Sequence, residues 1–182
     1  MDVNMQRCFI AYMLTDIEAK QLNAALTTIK KYAVDKTRWI PQKNYHITLK
    51  FLGNIDQKKI NWWEKKLRKI AKNQRCIATS LKKTALFKSH KKKILVFSCY
   101  PDQEIINLIS CLEKEAGIFS DKPSKPHVTL AYIKQNSSLY SQLLPPVVSP
   151  VNLRINHIAL MASKPDHSGA NYQEIATFSL QH

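Results

Sequence analysis

Residues 44–54 read NYHITLKFLGN, and residues 127–133 read HVTLAYI. In the first stretch Tyr45, Ile47, Leu49 and Phe51 alternate with His46, Thr48, Lys50 and Leu52. A period of two is the period of a strand, so this stretch is predicted to bury one apolar face and present a mostly polar one. Gly53 and Asn54 mark the turn after it. The second stretch follows a loop stiffened by two prolines, SDKPSKP at residues 120–126, and has the same character. Each contains a tetrad, His46-Ile47-Thr48-Leu49 and His127-Val128-Thr129-Leu130. Residues two apart on a strand share a face. Each strand therefore presents an imidazole beside a hydroxyl and turns Ile47 and Leu49, or Val128 and Leu130, to the other side.

The flanking pattern builds outward from these two strands. RCFIAYML, residues 7–14, is apolar and β-prone. Thr15 and Glu18 form a capping box, and Leu22, Ala25, Leu26 and Ile29 follow at helical spacing, predicting a helix from about Asp16 to Tyr32. TRWIPQ, residues 37–42, is a short extended piece stopped by Pro41. A second helix over 57–73 carries the stripe Ile60, Trp63, Leu67 and Ile70, with lysines on its other faces. Residues 76–87 and 94–100 read as a hairpin around the basic turn SHKKK. Asp102 opens a third helix with the stripe Ile105, Ile106, Ile109 and Leu112, and Gly117 stops it. The proline-rich segment LPPVVSP, residues 144–150, leads to a last pair of strands, about 151–162 and 171–180. The expectation is an α+β fold, one domain over residues 1–182. Its sheet arrangement would be largely antiparallel. Strand–helix–strand with H-I-T-L loosely mirrors strand–helix–strand with H-V-T-L, which favours two similar lobes.

Composition narrows the partners. The formal net charge is +15, with 23 Lys against 5 Arg. A surplus this large favours polyanions, and lysine spreads it as a diffuse field rather than as a bidentate phosphate-reading surface. The Lys-rich segments 58–72 and 82–93 are candidates for guiding RNA. Of the adjacent Trp62 and Trp63, the second belongs to the helix stripe and is expected in the core. No apolar run is long enough to span a bilayer, and the N-terminus, with Asp2 early and Arg7 its one basic residue, lacks the pattern of a signal peptide. An intracellular, cytoplasmic protein without membrane contact is expected. Cys8, Cys76, Cys99 and Cys111 show no paired spacing and read as reduced and structural.

Two imidazoles and two hydroxyls around a small space suit a phosphodiester. One imidazole takes a proton from the nucleophile while the other gives one to the leaving oxygen. Histidine is the side chain whose ordinary pKa keeps both forms available near neutrality. The hydroxyls of Thr48 and Thr129 can donate to non-bridging oxygens, where charge sits in the transition state. An isolated H-x-T on an amphipathic strand is ordinarily just a solvent-facing pair. Its repetition within a chain of six histidines is what singles out His46 and His127; His90, His157, His167 and His182 show no such pattern. A zinc site would need further ligands, and neither H-E-x-x-H, paired cysteines nor a neighbouring carboxylate is present. No cofactor is expected. Cysteine chemistry is disfavoured because the thiols lie in apolar runs. With three glycines, the chain also lacks a phosphate-cradling glycine loop.

The run RWIPQKNYHITLKFLG, Arg38 to Gly53, closely resembles the first motif of the RNA 2′,3′-cyclic phosphodiesterases, also called 2′-5′ RNA ligases, of the two-histidine phosphoesterase superfamily. KPHVTLA, Lys125 to Ala131, resembles the second motif, and RCFIA resembles the opening strand. The resemblance covers nearly the whole chain, and it implies a bilobal fold in which two largely antiparallel sheets face each other across a central basic cleft, with helices on the outside. It implies hydrolysis of a terminal 2′,3′-cyclic phosphate on RNA to a 2′-phosphate. It also implies that His46 protonates the leaving 3′ oxygen, that His127 deprotonates water, and that Thr48 and Thr129 hold the phosphate. One position departs from it: Tyr132 stands where the second motif usually continues to an arginine. Lys50, Lys134 or Arg7 could supply that charge. Phe9, Lys50 and Tyr132 are further candidate substrate contacts, and Tyr172 lies near where the family has an Arg-Tyr pair. Two alternatives stay open: cleavage or ligation of 2′-5′ linkages, on tRNA halves or oligoadenylates, and a non-catalytic RNA- or nucleotide-binding module. The expected partner is RNA with cyclic phosphate ends or a related nucleotide, bound by a monomer.

Overall fold

The computed structural model describes residues 5–31, 37–89, 92–99, 102–117, 124–134, 149–166 and 169–182. Along the chain run β1 (Gln6–Met13), α1 (Asp16–Lys31), β2 (Thr37–Trp39), a 3-10 turn (Gln42–Asn44), β3 (His46–Ile55), α2 (Gln57–Ala71), β4 (Ile77–Ser89) and β5 (Lys92–Cys99). Then come α3 (Gln103–Ala116), β6 (His127–Lys134), β7 (Val151–Ile155), β8 (His157–Asp166) and β9 (Gly169–Ser179).

The helix ends follow the residues that dictate them. The Thr15–Glu18 box is reciprocal: the Thr15 N–H donates to Glu18 Oε2 at 2.9 Å and the Glu18 N–H to Thr15 Oγ1 at 3.4 Å. The Glu18 carboxylate does more than cap. Buried, it also accepts from the Tyr12 hydroxyl at 2.5 Å and from the Arg154 N–H at 2.9 Å, tying α1 to β1 and β7. Asp56 and Asp102 cap α2 and α3, and Gly117 ends α3 at φ 65°, in the left-handed region where glycine is unstrained.

The strands pair antiparallel in the order β7-β4-β5-β6-β3-β1-β8-β9, with β2 on β6. The two halves expected as facing sheets are thus continuous, but they meet narrowly. β3 and β6 share a single registered pair, Ile47 opposite Val128, after which β6 pairs with β2 instead. The sequence pattern over 151–162 also hides a break. Val151, Leu153 and Ile155 alternate inward, Asn156 is exposed, and the buried run resumes at Ile158. The stretch is therefore two strands: β7 lies on the edge beside β4, and β8 sits between β1 and β9. With one residue between them, β7 and β8 bring opposite ends of the sheet together, so the sheet curls.

One face of the sheet carries the helices. Leu22, Leu26, Ile60, Trp63, Leu67, Leu108 and Leu112 pack there on Ile10, Tyr12, Ile47, Leu49, Phe97, Val128 and Leu130. Trp63 is buried, as its place in the stripe requires, while Trp62 is half-buried between Lys59 and Lys66. The other face carries a smaller cluster of Phe9, Ala11, Ala159 and Met161, with Met13 and Tyr172 against it. This second face holds both H-x-T motifs.

Candidate active site

β3 and β6 run side by side through Ile47 and Val128, whose side chains are fully buried on the helical face. Extending that register by one residue each way sets His46 opposite Thr129 and Thr48 opposite His127. The four polar side chains thus form a crossed quartet on the other face, each imidazole flanked by a hydroxyl along its own strand and another across.

Both imidazoles are pinned the same way. His46 Nδ1–H donates to the Asn44 carbonyl at 2.7 Å, and His127 Nδ1–H donates to the Lys125 carbonyl at 2.6 Å. This fixes the tautomer and leaves each Nε2 as the working atom. At His46 that atom is met by the Thr48 hydroxyl, which donates to it at 3.1 Å. The rings are also wedged by aromatics. Phe9 and Tyr172 pack on His46 at 5.3 and 5.1 Å, and Phe87 packs edge-on to His127 at 4.9 Å. Phe87 carries no sequence signal for this role, because its contact depends on long-range pairing of β4, β5 and β6.

The electrostatics follow from this packing. Burial holds His46 below the usual histidine range, and the nearby His127 pushes it the same way; the hydrogen bond to Asn44 opposes both. Burial also lowers His127, against the bond to Lys125. Mutual repulsion means the pair resists carrying two protons, as suits one donor and one acceptor.

The remaining candidates divide. Phe9 lies on the histidine face, in contact with His46, Tyr172 and the 68% exposed Phe51. Tyr132 also lies on this face: Leu130 and Ala131 are both buried in the helical core where the β5–β6 register slips, so Tyr132 is the next residue after Thr129 to point outward. Lys50 does not join them. It reaches to the helical side and pairs with Glu113 of α3 at 3.4 Å. A bulge between Ile10 and Ala11 on the β1–β3 ladder breaks the alternation after Leu49, and the same shift turns Phe51 outward instead of into the core. Arg7 lies on the strand face of Phe9 and acts electrostatically on Tyr172; the Lys134 side chain and residues 90, 91 and 167 lie outside the described residues.

Among the described residues no three His, Cys, Asp or Glu side chains converge as a metal site would require. Cys8 and Cys99 are buried free thiols, and burial pushes Cys99 up to about 12, so neither supplies a thiolate. No helix among the described residues is long and apolar enough to cross a membrane.

The chain is similar to known proteins in part of its sequence and in its fold. Residues 16–97, which include His46 and Thr48, match the family model described as LigT-like phosphoesterase. An RNA 2′,3′-cyclic phosphodiesterase of Thermotoga maritima is 21% identical over 172 residues, covering 92% of this chain and 91% of that protein. The crystal structure of E. coli LigT complexed with 3′-AMP superposes with a TM-score of 0.76 at 23% identity, covering 98% of this chain and all of that one. That of TT0787 from Thermus thermophilus gives 0.73 at 24% identity over 96% and 98%. The structural matches extend over the second histidine strand, which the family model does not reach.

Proposed function

We propose that this chain, whose residues 16–97 match the LigT-like phosphoesterase model, hydrolyses a terminal 2′,3′-cyclic phosphate on RNA to a 2′-phosphate, with His46 as proton donor and His127 as proton acceptor. The observation that carries this reading is the crossed quartet, in which each imidazole is pinned through Nδ1 to a carbonyl and each Nε2 is left for proton transfer. The name of the Thermotoga maritima relative agrees with it.

In the proposed step the phosphorus sits between the two imidazoles. His127 Nε2 takes a proton from water as the water oxygen bonds to phosphorus. The bond from phosphorus to the 3′ oxygen breaks, and His46 Nε2–H gives its proton to that oxygen. The Thr48 hydroxyl, which donates to the neutral His46 Nε2, turns to a non-bridging oxygen once His46 is protonated; Thr129 donates from the facing strand. The anionic phosphate offsets the burial that disfavours the His46 cation, so substrate binding itself prepares the donor. Both histidines come from one chain, so a monomer suffices.

The test is product analysis. A short RNA ending in a 2′,3′-cyclic phosphate is incubated with the protein in excess chelator, and the product is resolved by phosphorus NMR. A 2′-phosphate supports the assignment. A 3′-phosphate would keep the pair but reverse which oxygen leaves, and no turnover at any pH would sink the reading.

A further inference from the structure

Arg38 occupies a place that the mechanism above does not use. It lies on β2 directly opposite Tyr132 of β6, and its guanidinium sits over the Tyr132 ring, 5.0 Å from the centroid. Its neighbour Trp39 packs into the helical core beside Ala131, which leaves Arg38 and Tyr132 together on the histidine face. Arg38 is exposed and forms no ion pair among the described residues, whose two salt bridges are both made by lysines. A second cation, Lys92, approaches the same ring at 5.7 Å. Arg38 and Arg7 both act on the Tyr172 phenol, and the Tyr172 ring packs on His46. A guanidinium stacked on an aromatic ring is oriented while its N–H fork stays open, the arrangement that suits a phosphate.

The position along the strand identifies which phosphate. Tyr132 is the next outward residue after Thr129, so Arg38 stands one outward step, about 7 Å of strand rise, from the hydroxyl assigned to the reacting phosphate. This is roughly the distance between consecutive phosphates of an RNA strand. We propose that Arg38, held over Tyr132, binds the internucleotide phosphate on the 5′ side of the terminal nucleotide, and so makes the site select an oligonucleotide end over a free nucleoside cyclic phosphate. The proposal rests on the cyclic-phosphate reading and adds the determinant of substrate length.

The experiment compares two substrates, a nucleoside 2′,3′-cyclic phosphate and a dinucleotide ending in the same group, in the wild type, in Arg38→Ala and in Arg38→Lys. A charge-assisted, bidentate contact implies that Arg38→Ala lowers kcat/KM on the dinucleotide about 10- to 100-fold, mostly through KM, and changes the nucleoside by less than about threefold. Arg38→Lys keeps the charge without the fork and falls between. Equal losses on both substrates, or no loss on either, overturn the role of Arg38 while leaving the cyclic-phosphate reading intact. Affinity for the unreactive pair, a nucleoside 2′-phosphate and a dinucleotide 2′-phosphate, is measured by calorimetry in parallel. Should the wild type turn over neither substrate, the function fails, and the affinity gained from the second phosphate, present in the wild type and lost in Arg38→Ala, still decides the role of Arg38.

Discussion

Replacing Lys50 by Met separates stability from chemistry in this fold. Lys50 is two residues from Thr48, and its charge suggests a phosphate contact, yet its ammonium pairs with Glu113 of α3 at 3.4 Å with the two side chains 10% and 15% exposed. That is neither a surface pair, worth about 0–1 kcal/mol, nor a fully buried one, whose disruption costs about 3–5 kcal/mol. An intermediate loss of about 1–3 kcal/mol is expected for Lys50→Met, because Glu113 keeps its charge against β3 with its partner gone. In a chain of this length each kcal/mol moves Tm by about 2–4 °C, giving a fall of about 2–12 °C in calorimetry. Turnover of a cyclic phosphate substrate, measured well below Tm, should stay within about twofold of the wild type, as expected for a side chain remote from the reacting groups. Replacing both partners, Lys50→Met with Glu113→Leu, should recover most of the lost stability. A Lys50→Met protein with unchanged Tm and turnover reduced tenfold or more would place Lys50 at the phosphate and refute the bulge argument.

Three further outcomes follow from the same geometry. Since burial holds both His46 and His127 below the ordinary value of about 6.5, the bell-shaped profile of kcat/KM should peak on the acid side of that value, while the basic limb of kcat should lie higher because bound phosphate favours the His46 cation; coincident limbs above neutrality would contradict this. Depressed histidines mean that the unfolded chain binds more protons, so their contribution to stability is present above about pH 6.5 and is lost as pH falls below it. The decline of Tm between pH 7.5 and 5, set by the histidine range of about 6.5, should therefore be shallower in the doubly substituted His46→Ala, His127→Ala protein, and an unchanged slope would argue against burial as the cause. Thr48→Val and Thr129→Val keep the shape and remove one donor each; a loss of about 10²–10³ in kcat with little change in KM is expected from steady-state kinetics, and a change confined to KM would assign the hydroxyls to ground-state binding.

The two H-x-T strands were legible because period-two alternation and i, i+2 spacing act locally: Ile47, Leu49, Val128 and Leu130 are all buried, and the His and Thr side chains share the other face. The caps were legible for the same reason, at Thr15, Asp102 and Gly117. What the sequence does not carry is the bulges. One added residue reverses the side chains that follow it until the next irregularity, which is why Lys50 and Phe51 exchange the faces that simple alternation assigns them, and why Tyr132 emerges beside Thr129. Long-range pairing is equally silent. Nothing local to Phe87 or Arg38 announces that one will touch His127 and the other will lie over Tyr132. The split at Asn156 escaped because no Gly or Pro marks it; only the shift in which residues are buried reveals it.

The central claim is that His46 and His127 work as one proton-transfer unit. Turnover of an RNA 2′,3′-cyclic phosphate is measured for His46→Ala, His127→Ala and the double replacement. The account predicts that each single replacement abolishes nearly all turnover and that the double is hardly worse than either, as for residues acting in one step. Single replacements that each retain substantial turnover, with losses that simply multiply in the double, would contradict it.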